Sequence, residues 1–96
     1  MPKSYRPVED DIMRAQDAEY VLDNVKPPRW FNEACKVGDA ERLRDNASFV
    51  SLATAQQLVE RARILSVEGA YQALRSYAQS FLASFEDAKW GGRYSD

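Results

Sequence analysis

Between Val67 and Ala88 the sequence is apolar along one helical side and small-residued along the other, which constrains the fold more than any other stretch. At ~100° per residue, Val67, Ala70, Tyr71, Leu74, Tyr77, Ala78, Phe81, Leu82, Phe85 and Ala88 share one side of an α-helix. Gly69, Ala73, Ser76, Ser80 and Ala83 line the opposite side. Such a helix can seat a core on its broad face while its slim face lets another helix come close, so the segment is expected to be a central or pairing helix.

The preceding segment predicts a second helix. Leu52, Ala55, Leu58, Val59, Ala62 and Leu65 recur at helical spacing, and Ser51 stands where a helix cap belongs. No proline separates the two segments, but their apolar stripes point in directions roughly 100° apart, so one straight helix could not bury both on one surface. A kink or tight turn is therefore expected at Leu65-Ser66, with Ser66 as a cap. The last helix is expected to end near Trp90, before Gly91-Gly92, leaving 91–96 as a mobile tail.

Toward the N-terminus, Pro2 and Pro7 predict an extended arm over 1–8, followed by a helix from Glu9 to Asn24. Val8, Ile12, Ala15, Ala18, Leu22 and Val25 are expected to face the core. Pro27-Pro28 ends that helix and opens a short one running to about Lys36, with Trp30, Phe31, Ala34 and Cys35 inward and Gly38 as its left-handed stop. Asp39 then caps a further turn or two, from Ala40 to about Asp45, with Leu43 inward. The expected fold is all-α: a compact bundle of four to five helices, in one domain over 1–96, with a long amphipathic C-terminal helix.

Composition narrows the function. Of 96 residues, 45% are hydrophobic and 29% charged, which suits a globular chain rather than a disordered one. A single cysteine, Cys35, cannot close an internal disulfide, and no stretch approaches the roughly 20 apolar residues of a membrane span or resembles a secretory leader. A cytoplasmic location is expected, away from membranes. With no histidine, one isolated cysteine and no glycine-rich phosphate loop, neither catalysis nor a cofactor nor a metal is expected. Glu9, Asp10 and Asp11 are consecutive rather than spaced as a calcium loop, and they suit a helix start. An enzyme would instead require acids such as Glu33 and Glu41 to converge in a pocket.

What remains is recognition of another protein, as an adaptor, inhibitor or regulatory subunit. The small size would also suit an accessory protein of a phage or plasmid. Met13 and Tyr20, seven residues apart, form an apolar strip inside an acidic surface, where Asp10 and Asp17 could select a partner's basic groups. Trp90, Arg93 and Tyr94 are a second candidate contact, of residue types that dominate binding hot spots. The strip of Gly69, Ala73, Ser76, Ser80 and Ala83 could take the first helix of the same chain or form a homodimer face. Arg29, Lys36, Arg42 and Arg44 could make a basic surface around the short helices.

Nucleic acid is the alternative partner. A helix ending in Arg61-Ala62-Arg63, a turn, and the helix after it imitate a helix-turn-helix in a dimeric regulator, with Arg61, Arg63 and Arg75 near DNA. The imitation is incomplete. Ser66 stands where the turn wants glycine, and Gln72 where the second helix wants a buried apolar residue. The net charge of −2 gives no general attraction to phosphate.

Overall fold

The computed structural model describes residues 9–94, with side-chain environments described for residues 10–84. Five helices follow one another: α1 (Glu9–Asp23), α2 (Arg29–Val37), α3 (Ala40–Asn46), α4 (Leu52–Ile64) and α5 (Val67–Tyr94). The fold is an all-α bundle, without a strand among the described residues. The expected arm over 1–8, Val8 included, lies outside them.

Local chemistry sets the boundaries. Gly38 ends α2 in the left-handed conformation, at φ 73°; its N–H donates to the Cys35 carbonyl and the Asp39 N–H to the Ala34 carbonyl. This pair of reversed bonds satisfies carbonyls that the helix end would leave orphaned. The carboxylate of Asp39 accepts the Arg42 N–H at the start of α3, and the hydroxyl of Ser51 accepts the Thr54 N–H at the start of α4. Ser66 does the same for α5, accepting the Gly69 N–H at 2.9 Å. Leu65-Ser66 is thus a capped turn between two helices, as the mismatch of their stripes demands.

α5 packs against α1 and α4 and touches α2, while α2, α3 and α4 also pack on one another. Both long neighbours run antiparallel to α5. On the α4 side, the Tyr77 hydroxyl reaches Gln57 at 3.5 Å, and farther from the turn Phe49 lies against Phe81 with ring centroids 6.0 Å apart. On the α1 side, the end of the helix meets Tyr71 and Arg75, whereas Asp17, farther back, binds Ser48 beside Phe49.

The buried cluster draws on every helix: Ala18 and Val21 of α1, Phe31, Ala34 and Cys35 of α2, Leu43 of α3, Ala55, Leu58 and Val59 of α4, and Ala70, Tyr71, Leu74 and Ala78 of α5. Tyr71 stands at its centre, fully buried and edge-on to Phe31 with centroids 5.1 Å apart. Its ring adds area, and its hydroxyl donates to the Val21 carbonyl, so burial leaves no polar atom unpaired.

Four expectations are corrected. Ile12 and Val25 are not core residues but 44% and 67% exposed, and Val21 is buried in their place. α1 carries apolar residues on both sides, and its contact with α5 selects the side holding Ala18, Val21 and Leu22. Leu65 is 64% exposed, because the chain leaves the α4 spiral there and the stripe's last member swings outward with it. Tyr77, assigned to the core side of α5, is 39% exposed at the rim of the α4 contact. Finally, α5 does not stop near Trp90: its backbone is helical through Gly91-Gly92 to Tyr94. Glycine permits a left-handed stop without imposing one, and residues 91–94 of the expected tail belong to the helix.

Candidate functional site

The outer side of α1 gathers the exposed apolar residues that the core does not use. Met13 is 56% exposed, Tyr20 49% and Ile12 44%. At 100° per residue the three fall within about 100° of one another around the axis, and within ~12 Å along it. They share one face with the exposed amide of Gln16 between them, and this face points away from Ala18 and Val21. Asp10 flanks it on one edge and Glu19 on the other, while Asp23 closes it beyond Tyr20; all three are exposed, and none has a hydrogen-bond or ion-pair partner among the described residues. The sole base of α1, Arg14, is turned about 150° away from the middle of the strip.

Asp17 does not belong to this surface. It is half-buried and accepts the Ser48 hydroxyl at 2.7 Å, pinning α1 to the loop between α3 and α4. Sequence spacing placed it with Met13 and Tyr20, whereas its partner sits 31 positions away and leaves no local signature. Ile12 was missed for the converse reason: its spacing with Ala15 and Ala18 reads as core.

The small-residue strip of α5 does not take α1, which packs on the apolar side. Ser76, Ser80 and Ala83 are exposed, and Gly69 and Ala73 half-buried. All but Ala83 border, with Arg61, Gln72 and Tyr77, a shallow groove of about 480 Å³. Gly69 has a local reason of its own, since a methyl group there would press within 3.3 Å of the Ser66 oxygen that caps the helix. The backbone of Trp90, Arg93 and Tyr94 continues α5, and their side chains lie outside those described.

A second apolar surface, absent from the sequence reading, lies at the end of the bundle. Val25, Ile64 and Leu65 are all mostly exposed around the α4–α5 turn. A cleft of about 420 Å³ there separates Val25 and Pro27 from Ser66 and Gln72. Lys26, Glu60, Arg61, Arg63 and Glu68 surround it with mixed charge.

The structure places the helices and arginines of the helix-turn-helix comparison as follows. In that motif the two helices cross at about 90–120°, whereas α4 and α5 lie alongside each other from the turn to Phe49 and Phe81. Arg75 points inward, donating to the Leu22 carbonyl at 2.8 Å, where a cation also meets the negative end of the α1 dipole. Arg63 pairs with Glu60 at 2.9 Å, leaving Arg61 as the one proposed DNA contact without such a pairing among the described residues.

The anticipated basic surface is similarly divided. Arg29 and Arg42 both bind Glu33, at 3.1 and 2.7 Å, and Arg44 binds Asp45. Arg29 foremost, with Arg42, holds the Glu33 carboxyl below its ordinary pKa against a desolvation effect that pushes it up. That is the reverse of what a general acid requires. Burial pushes the Cys35 thiol up to about 11, so its nucleophilic thiolate is scarce near neutrality. Among the described residues no group of three or more histidines, cysteines or acids is placed to hold a metal ion, and no helix is long and apolar enough to cross a membrane.

The chain matches no family model, and comparison with curated proteins and with solved structures finds no significant match.

Proposed function

We propose that this chain is a protein-docking module that holds a second protein against the outer side of α1, as an adaptor, inhibitor or regulatory subunit in the cytoplasm. The observation that carries this reading is the gathering of Ile12, Met13 and Tyr20 on one exposed face of α1, which nothing covers among the described residues. Single exposed hydrophobic residues are ordinary, but several on one face rimmed by polar groups are a feature of interaction sites. Catalysis has no comparable support, because the acid best placed in a cluster, Glu33, is neutralised by two arginines.

The test is a double variant, Met13→Lys with Tyr20→Lys. It is expected to keep the helical circular-dichroism spectrum and melting temperature of the parent, because both positions are exposed, while losing the protein that the parent captures from extracts of its native source. Capture of the same protein by the double variant would reject the reading, and so would capture of nothing by the parent.

A homodimer through Ser76, Ser80 and Ala83 is the second reading, favoured by the exposure of that strip. Ser76→Trp is then expected to turn a dimer into a monomer in sedimentation. An unchanged sedimentation coefficient would remove the strip from consideration.

A further inference from the structure

We infer that the occupant of the α1 face is a cationic amphipathic helix of another protein, an inference that rests on the docking reading above and specifies its partner. The shape of the face argues for a helix. Met13 and Tyr20 repeat after seven residues, with Ile12 beside them, so a partner helix laid along α1 can set apolar side chains between them at matching spacing. An extended strand would find no open sheet edge to join, since the face belongs to a helix whose backbone groups are already paired.

Charge argues for the sign. Asp10 bounds the strip on one edge near the start of α1, Glu19 bounds it on the other edge, and Asp23 closes its far end beyond Tyr20. A helix lying in the strip therefore passes carboxylates on both flanks. All three are exposed and unpaired among the described residues, and Arg14 is on another side of the helix, so a partner's cations meet no competitor among the described residues. An acidic partner would place like charges together on both flanks, and an anionic membrane surface or a nucleic acid would meet the same repulsion. The apolar end of the bundle offers no such preference, because acids and bases alternate around Val25, Ile64 and Leu65.

Rim charges of this kind act chiefly through steering and are screened by salt. The probes are three fluorescent peptides of about 18 residues sharing one amphipathic apolar pattern, their polar positions filled by Lys and Arg, by Gln, or by Glu. Binding to the full chain is read by anisotropy at ~0.05 M and ~0.15 M salt, and located by amide chemical shifts. The cationic peptide is expected to bind roughly tenfold or more tighter than the Gln peptide, to weaken as salt rises, and to shift residues 10–23 foremost. The Glu peptide is expected not to bind. Glu19→Lys with Asp23→Lys is expected to lower affinity for the cationic peptide by about tenfold or more without changing the melting temperature.

Equal binding of the cationic and Gln peptides at α1 would overturn the cationic assignment while leaving the docking reading in place. Shifts centred on another surface, or no binding by the cationic peptide, would overturn the inference, and the docking reading would then stand or fall on the Met13 and Tyr20 capture experiment. Binding of anionic vesicles through residues 10–23 would overturn it as well.

Discussion

α1 and α4 both lie antiparallel along α5, yet they are held there by different means. α4 is joined to α5 by a two-residue turn and closes on it through apolar side chains: Ala55, Leu58 and Val59 are buried, and Phe49 beyond its start meets Phe81. Its polar link to α5, Tyr77 to Gln57, is long and exposed. Among its described residues α1 buries Ala18 and Val21 fully, and polar contacts across large sequence distances fasten it: Tyr71 to Val21, Arg75 to Leu22, and Ser48 to Asp17. The helix with the thinner apolar seam is also the one with spare apolar residues outside. A helix needed only for the core would place those residues inward; α1 divides them between two surfaces, and the second surface has no occupant among the described residues.

Tyr71→Ala should have the largest effect, because one ring serves both flanks. It removes a fully buried aromatic that packs on Phe31 and also the hydroxyl that anchors α1. Loss of about 3–5 kcal/mol is expected in urea unfolding. Buried Cys35, slow to react with thiol reagents in the parent, should become labelled faster as the core opens. A loss below about 1 kcal/mol would mean that Tyr71 is not where the two flanks meet.

The difference between the flanks also explains what the sequence could disclose. Where local signals decide, expectation and structure agree except at Gly91-Gly92: Gly38, Asp39, Ser51 and Ser66 each act as the cap that their neighbours imply, and α4 buries the stripe its spacing predicts up to the turn. The expected stripe of α1 through Ala18 and Leu22 does meet the core, but the helix is rotated so that Ile12 at one margin is exposed and Val21 at the other is buried, and α1 ends before Val25. Periodicity alone could not fix that rotation, since it depends on Tyr71 and Arg75, 50 or more positions away. The same limit governs the candidate site. Met13, Tyr20 and Asp10 could be assigned to the outside from their neighbours, but the withdrawal of Asp17 by Ser48 and the addition of Ile12 depend on how α1 is rotated against the bundle.

Arg75→Met separates the flanks with a smaller change. The substitution keeps much of the side chain's length but removes the donor to the Leu22 carbonyl, a charge-assisted bond at a partly buried site. About 1–2 kcal/mol should be lost, below the upper range for hydrogen bonds to charged groups because water can reach the freed carbonyl. The pattern of amide exchange is the discriminating readout: protection should fall over the end of α1 and stay unchanged in α4. Equal loss in both helices would indicate that α1 and α4 depend on α5 as one unit, and the contrast between them would disappear.

Ile12→Ala should have the smallest effect, and it tests the rotation of α1 directly. If Ile12 faced the core, as its spacing with Ala15 and Ala18 implies, truncation would cost about 2–5 kcal/mol. In the observed orientation the side chain is 44% exposed and outside the buried cluster, so little apolar contact is lost. Alanine also favours the helix over the β-branched residue by a few tenths of a kcal/mol. The two effects oppose each other, and thermal unfolding should place the variant within about 0.5 kcal/mol of the parent. A cost above about 1.5 kcal/mol would turn the strip inward. Ile12 would then be holding the bundle together, and a partner would find Met13 and Tyr20 without the third apolar residue of their face.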